Sequence, residues 1–142
     1  MEIRKLTAND YADMTRLWIK AGLPYKPKGR DSKQRIVAEM KACPDFFLGA
    51  FEEDHLVGTV IVSSDLRKGW INRLAVDLHC RHRGIARALI AEGEKIMHKR
   101  GLRIFCALIE ESNVPSKELF KKCGYSESHD ILYFSKRDSD LI

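Results

Sequence analysis

The chain has 142 residues, of which 44% are hydrophobic and 32% are charged, and its formal net charge is +5 at pH 7. This balance is that of an ordinary globular domain and excludes the disordered and fibrous classes. No apolar run approaches the ~20 residues that cross a bilayer, and the segment MEIRKLTAND lacks a signal-peptide apolar region. We therefore expect one soluble cytoplasmic domain over residues 1–142, with no membrane partner.

The net charge bears on the class of ligand, and the cysteines and histidines bear on disulfides and metal sites. A net charge of +5 favours anionic ligands but does not by itself choose among their types. Basic and aromatic residues do not alternate anywhere, so no nucleic-acid partner is expected. The four cysteines form no C-x-x-C pair and are expected to be free thiols. His79 and His82 flank Cys80, but no second ligand cluster lies at zinc spacing, so no metal site is expected.

Two helices are predicted to follow a short first strand. Residues 2–6 read as a strand, and Thr7 with Asp10 forms the pattern of a capping box. The helix that follows carries apolar residues at helical spacing and ends near Gly22. A second helix is predicted over residues 32–41.

The apolar pattern then changes from a helical period to that of strands. Short apolar or aromatic runs, separated by the turns EEDH and SDLRKG, predict an antiparallel meander over residues 46–51, 56–63 and 70–76. Alternate side chains of a regular strand share one face. Trp70 and Asn72 are therefore expected on the same face as Leu74 and Val76.

The second half of the chain alternates helices with strands. Helices are predicted over residues 85–100 and 115–123, each followed by a glycine that suits a C-terminal cap. A strand at residues 103–109 lies between them, and residues 125 and 131–135 are expected to complete the sheet. The order β-α-α-β-β-β-α-β-α-β-β predicts one α/β domain with a mixed sheet.

A basic turn that contains glycine, RHRGIA, precedes the longest helix. Backbone N–H groups at a helix start lack intrahelical acceptors and carry the positive end of the helix dipole. Gly84 leaves room for an anion, and Ala86 keeps the next turn small. These features predict a pyrophosphate site, and a basic helix start without a ligand is the alternative. Positive charge around the opening comes from Arg81, Arg83 and Arg87.

Four segments, taken together, resemble the GNAT family of acetyl-CoA-dependent N-acyltransferases over nearly the whole chain. They are VGTVIV at 57–62, LAVD at 74–77, RHRGIARALI at 81–90 and N-x-x-S-x-x-L-F-x-x-C-G-Y at 113–125. The family pattern is R/Q-x-x-G-x-G/A followed by N, A and (L/F)-Y-x-x-x-G-(F/Y). The resemblance implies a mixed, mostly antiparallel sheet of about seven strands with about four helices, in which the fourth and fifth strands splay apart.

The resemblance also implies that acetyl-CoA binds along this part of the chain. Main-chain N–H groups of the basic turn would hold its pyrophosphate, and the backbone of LAV would pair with its pantetheine arm. The Val76 N–H would polarise the thioester carbonyl. Asn113 would bond to the arm and Phe120 would pack against it. The implied cofactor-binding residues are Leu74, Ala75, Val76, Arg81, His82, Arg83, Gly84, Ile85, Ala86, Arg87, Asn113 and Phe120.

Two positions depart from the family pattern. Many members have a Glu as general base where this chain has Asn72, and a Tyr as general acid where it has Phe120. Neither side chain can titrate, so Asn72 is only a candidate catalytic residue beside Val76. Three routes stay open: proximity alone, another base, or acetyl-CoA binding without turnover. Base candidates by residue type are Asp65, Glu110, Glu111 and His55.

The expected reaction is direct transfer of an acetyl group to a primary amine in a ternary complex. A small amine or amino acid is favoured over a protein amino group, and a non-catalytic acetyl-CoA sensor is the alternative. No acyl-cysteine intermediate is expected, because no cysteine has a paired histidine. The loop at residues 23–31 either lines the acceptor pocket or, as favoured here, is mobile and solvated. The loop side chains concerned are Tyr25, Lys26, Lys28 and Arg30.

Association of two chains into a homodimer is the alternative to a monomer.

Overall fold

The structure, a computed structural model that describes residues 1–142, contains five strands and four α-helices. The strands are β1 (Glu2–Lys5), β2 (Phe47–Glu52), β3 (His55–Ser64), β4 (Gly69–Val76) and β5 (Phe105–Ala107). The helices are α1 (Tyr11–Lys20), α2 (Lys33–Ala42), α3 (Ile85–Lys99) and α4 (Val114–Lys122). The four predicted helices are confirmed. None of them combines the length and apolar character that a membrane span requires.

The strands form one sheet in the order β1-β2-β3-β4-β5. Neighbours from β1 to β4 are antiparallel, whereas β5 lies parallel to β4. The predicted meander is confirmed. Its first hairpin closes through Glu53 and Asp54, whose φ values are 49° and 64°, as a two-residue hairpin turn requires.

Local signals account for the limits of the first two helices. The Thr7 N–H donates to the Asp10 carboxylate at 2.8 Å, which is one half of the predicted capping box. Gly22, with a φ of 79°, ends α1 in the left-handed region where glycine is unstrained. The Ser32 hydroxyl accepts the Arg35 N–H at 3.2 Å and caps α2.

The hydrophobic core lies between the sheet and the helices packed on its two faces. Trp18 of α1 and Leu89 of α3 are fully buried, as is Val60 of β3. Burying an aliphatic side chain such as Leu89 or Val60 contributes ~1.5–3 kcal/mol. Gly93 lets α3 approach the sheet closely, since a Cβ there would lie 2.8 Å from the Val62 side chain.

The prediction of about seven strands is wrong, because the sheet ends at β5. Residue 125 does not extend it, since the Tyr125 N–H donates to the Phe120 carbonyl at the end of α4. The segment from Ile131 to Phe134 is 69–86% exposed and makes no backbone hydrogen bond to the sheet. β5 is three residues long, at the lower limit of ordinary strand length, so it offers only a short edge for pairing.

β4 contains a bulge. Ala75 pairs with Thr59 of β3, but Asn72 pairs with Ile61, so three steps along β4 match two steps along β3. The extra residue lies at Arg73, whose φ is 51°. An inserted residue of this kind bends a strand and interrupts its regular alternation.

The bulge overturns the prediction that alternate β4 side chains share one face. Trp70 and Asn72 lie on the face covered by α1. Val76 pairs with Gly58, and Gly58 lies against α3 on the other face. The expectation that Leu74 and Val76 share the face of Trp70 is therefore wrong, because the insertion shifts the period by one residue.

Candidate active site

β4 loses its β5 partner partway along its length. The parallel pairing runs only from Gly69 to Ile71, whereas β4 continues to Val76. This divergence is the predicted splay of the fourth and fifth strands. It leaves main-chain groups in the second half of β4 facing a gap in the sheet.

The Val76 N–H points into this gap. The Asp77 N–H donates to the Val57 carbonyl at 2.8 Å, so Val57 and Asp77 form a hydrogen-bonded pair. Bonded and non-bonded pairs alternate along an antiparallel ladder. The adjacent Gly58–Val76 pair is therefore non-bonded, and Val76 directs its N–H away from β3. The Val76 N–H is therefore a main-chain donor available to a ligand that lies beside β4.

The turn from Arg81 to Arg87 presents a continuous row of free N–H groups. None of these N–H groups donates to a backbone carbonyl. His82 and Gly84 have φ values of 65° and 80°, and a Cβ at Gly84 would meet no atom within 4 Å. The last three of these N–H groups, at residues 85–87, belong to the first turn of α3. There the unpaired donors and the helix dipole favour negative charge. The residues present fit a pyrophosphate.

The arginines of the turn differ in their contacts. Arg83 is paired with Glu52 at 3.0 Å, so its charge is largely offset. The Arg81 Nε lies 3.5 Å from the Val76 carbonyl, and Arg87 is exposed at the start of α3. Arg81 and Arg87 therefore supply the net positive charge of this opening.

α4 carries the two remaining predicted cofactor residues. Phe120 is only 6% exposed and meets the Tyr125 ring edge-on, with 5.0 Å between ring centroids. The Asn113 side-chain oxygen accepts the Ser116 N–H at 3.2 Å, which caps α4. The exposed Asn113 amide nitrogen is left free for a ligand.

The base candidates selected from the sequence lie at turns. The Asp65 carboxylate accepts the N–H groups of Lys68 and Arg67, and these bonds lower the pKa of Asp65, which weakens it as a base. His55 is exposed beside the β2–β3 turn, where its ring nitrogen lies 2.9 Å from the Glu53 carbonyl. The remaining two candidates are exposed between β5 and α4: Glu110 and Glu111.

Tyr125 does not replace the absent acid. Its hydroxyl donates to the Glu94 carboxylate at 2.6 Å. Burial, and then this carboxylate, raise the pKa of Tyr125, so the phenol keeps its proton and holds α3 against the end of α4.

The loop at residues 23–31 is folded against the bulge of β4. The Arg73 guanidinium lies 3.1 Å from the Asp31 carboxylate and also donates to the Pro24 carbonyl. Burial lowers the pKa of Arg73, and Asp31 opposes that shift. The Tyr11 hydroxyl donates to the Asp31 carbonyl. These contacts do not fit the favoured expectation of a mobile, solvated loop.

Two cations of this loop contact the C-terminal segment. The Lys26 Nζ donates to the Asp140 carbonyl at 2.7 Å, and the Arg30 Nη1 donates to the Ile142 carbonyl at 3.1 Å. Lys28 is exposed. Two of the three loop cations that could attract an anionic acceptor therefore bind main-chain carbonyls of the C-terminal segment.

A cavity of about 290 Å³ lies beside Val76, between the end of α1 and the segment after β4. Three titratable side chains border it, Lys20, Asp77 and His79. Sequence reasoning did not select them, because no local pattern places the end of α1 beside β4. The same holds for Arg73 and Asp31, which lie 42 positions apart.

The chain is similar to known acetyltransferases. Residues 11–125 match the model of the acetyltransferase (GNAT) family. An acetyltransferase of Photorhabdus laumondii is 33% identical over 138 residues, which are 96% of this chain and 95% of that relative. The PaiA N-acetyltransferase of Thermoplasma acidophilum, solved with coenzyme A, has a TM-score of 0.77 at 23% identity over 86% of this chain and 87% of its own. AAC(6')-Iy, solved with a bisubstrate analogue, has a TM-score of 0.78 at 17% identity over 96% and 97%. The two solved structures share this fold.

Proposed function

Because the chain belongs to the GNAT family of acetyltransferases, we propose that it transfers an acetyl group from acetyl-CoA directly to a primary amine. The observation that carries the proposal is the row of free N–H groups from Arg81 to Arg87 beside an unpaired edge of β4. A protein of the same fold was solved with coenzyme A, which supports this ligand. The proposed acceptor is a small amine or amino acid.

In the proposed complex, the free N–H groups at residues 81–87 hold the pyrophosphate. The main chain from Leu74 to Val76 pairs with the pantetheine arm, as an added strand would. The Asn113 amide bonds to the arm, and Phe120 packs against it. Acetyl-CoA supplies an activated acyl group as a thioester.

Val76 would provide the electrostatic contribution. The amine nitrogen forms a bond to the thioester carbonyl carbon, the carbon–sulfur bond breaks, and the thiolate leaves. The Val76 N–H donates to the carbonyl oxygen as negative charge develops there. A single donor of this kind is worth roughly 3–4 kcal/mol in another enzyme.

The proton of the amine has no obvious acceptor among the residues at the family positions. Neither Asn72 nor Phe120 can titrate, so neither is proposed to move it. Holding the amine against the thioester can supply several kcal/mol without an acid or a base. We place proton release in the water of the cavity beside Val76, which Asp77 and His79 border, and the proton finally reaches the thiolate.

Direct transfer is also supported by the state of the cysteines. All four are free and half-buried, and burial raises the pKa of the Cys123 thiol. A raised pKa lowers the thiolate fraction that a covalent intermediate would need.

An acceptor screen tests the proposal. Purified protein is incubated with acetyl-CoA and a panel of small amines, amino acids and peptides, and release of the CoA thiol is measured. We expect release above the hydrolysis background with at least one primary amine. The product's mass and position of acetylation then establish the acceptor class.

A non-catalytic acetyl-CoA sensor is the second candidate function. The absence of a titratable group at both Asn72 and Phe120 is the observation that favours it. Tight acetyl-CoA binding with no thiol release for any amine in the panel would contradict the transferase and support the sensor.

Phe120→Tyr is expected to raise kcat, because it places a proton donor beside the pantetheine arm, whose sulfur leaves as the thiolate. General acid catalysis contributes roughly 10²–10⁴-fold in enzymes built for it, so we expect about a tenfold rise here. Phe120→Leu is the control, since it alters packing without adding a donor. An unchanged kcat in a folded Phe120→Tyr variant would show that thiolate protonation does not limit the rate.

A further inference from the structure

Arg73 occupies a strained backbone position at the bulge of β4. Its φ of 51° is costly for a residue other than glycine and persists where surrounding contacts over-determine it. The Arg73 carbonyl accepts the Thr59 hydroxyl at 3.0 Å, and that hydroxyl accepts the Trp18 indole N–H at 3.1 Å. Both donors are fully buried. The main chain of the bulge is therefore fixed from the α1 side.

The Arg73 side chain is fixed at the same time. One guanidinium nitrogen lies 3.1 and 3.3 Å from the two Asp31 carboxylate oxygens, and the other donates to the Pro24 carbonyl. The guanidinium also lies 4.8 Å from the centre of the Trp18 ring. Asp31 is 3% exposed, and it accepts the Lys26 N–H at 2.8 Å. One residue thus joins α1, the loop at 23–31 and the bulge.

Stability alone does not account for this arrangement. Replacing a buried ion pair by apolar residues of similar volume is often neutral or stabilising. What the guanidinium provides is geometry, because its planar fork satisfies a carboxylate and a carbonyl in fixed directions. A strained backbone fixed by directional contacts is typical of functional sites.

We propose that Arg73 and Asp31 are positioning residues that hold the loop at residues 23–31 at a fixed distance from the Leu74–Val76 edge. The inference rests on the proposed function, in which this edge holds acetyl-CoA, and it adds that the loop borders the acceptor. The ion pair then couples the two halves of the site, so that binding along the edge is transmitted to the loop.

Two variants test the link by kinetics. Asp31→Asn keeps the side-chain shape but removes the charge, and Arg73→Lys keeps the charge but removes the fork. With the amine from the acceptor screen, we expect kcat to fall about 10- to 100-fold, since misplacement by 1 Å can cost 10²-fold. The KM for the amine should rise, whereas the affinity for CoA should stay at the wild-type value.

Arg100→Lys is the matched control. Arg100 lies 2.8 Å from the Asp45 carboxylate and 4.4 Å from the centre of the Phe46 ring, so it also combines an ion pair with a cation–π contact, at an exposed position at the far end of α3. We expect this variant to keep the kcat and both KM values of the wild type.

A second readout does not need the acceptor. CoA is titrated into ¹⁵N-labelled protein, and amide shifts are followed in the turn at residues 81–87 and in the loop at residues 23–31. In the wild type and Arg100→Lys both regions should respond. In Asp31→Asn and Arg73→Lys the turn should respond and the loop should not.

The outcomes separate the two levels of inference. Variants that lose thermal stability but keep the loop response and kcat would overturn the link and leave a purely structural role for the pair. A wild-type turn that does not respond to CoA would contradict the proposed function, and the link would fall with it. A turn response that never reaches the loop would contradict the link alone.

Discussion

Gly84→Glu is expected to weaken acetyl-CoA binding severely while the fold is retained. The residue is the N-cap of α3, with a φ of 80° and no atom within 4 Å of a Cβ built there, so the new carboxylate would enter the space proposed for the pyrophosphate. Two like charges about 4 Å apart near a protein surface repel by about 4 kcal/mol. This corresponds to a loss of about 10³-fold in affinity, which calorimetric titration with CoA measures.

Gly101→Glu is the matched control at the other end of α3. Gly101 has a φ of 85° and no atom within 4 Å of its built Cβ, so the substitution adds the same strain and the same charge. A carboxylate is favoured at a helix N-terminus and disfavoured at a C-terminus, so Gly101→Glu should be the less stable variant and should still bind CoA. That combination would exclude unfolding as the cause of lost binding. If Gly84→Glu keeps the wild-type affinity for CoA, the pyrophosphate does not bind at the turn from Arg81 to Arg87.

The row of free N–H groups at residues 81–87 could be predicted because contiguous residues encode it. The turn from Arg81 to Arg87 runs directly into α3, so its free N–H groups follow from a glycine-containing helix start. The strand before it and the meander are likewise visible as apolar runs between polar turns. Where a structural feature is built from one stretch of chain, local patterns are enough to predict it.

The bulge and the Arg73–Asp31 ion pair could not be predicted, because they depend on contacts between distant parts of the chain. The bulge is a matter of register between β3 and β4, and the run WINRLAV reads equally well as a regular strand. Arg73 and Asp31 are separated by 42 positions. The only available signal was Arg73 itself, a charged residue inside an apolar strand, where an unpaired charge would be costly.

The missing strands have a different physical explanation. The run ILYF at residues 131–134 has the composition of a strand, but a strand also needs an edge to pair with. β5 provides three residues, and the flanking Ile104 and Leu108 are exposed. The composition of a segment indicates its preference for strand structure, but not whether a neighbouring strand is available for pairing.

Replacing the Val76 peptide bond by an ester, through an α-hydroxy acid at position 76, is expected to lower kcat about 10²-fold. The exchange removes the N–H and keeps the side chain and shape. Since the Val76 N–H points away from β3, no ladder donor is lost, and only the Ala75 carbonyl becomes a weaker acceptor. CoA affinity should therefore stay close to wild type, and thermal stability should fall less than in the Ala75 ester. Without an acceptor, the infrared stretch of the bound thioester carbonyl gives the same information, because it should return toward its solution frequency.

The ester at Ala75 is the control that gives this experiment its meaning. Ala75 and Thr59 form the next hydrogen-bonded pair of the ladder, so the exchange there should lower the free energy of unfolding by about 1 kcal/mol and spare the carbonyl stretch. Opposite responses at adjacent residues would separate transition-state stabilisation from strand stability. Equal losses of kcat at both positions would instead mean that the geometry of the bulged strand limits the reaction. The catalytic contribution would then lie in how Arg73 and Asp31 hold that strand, and not in one donor.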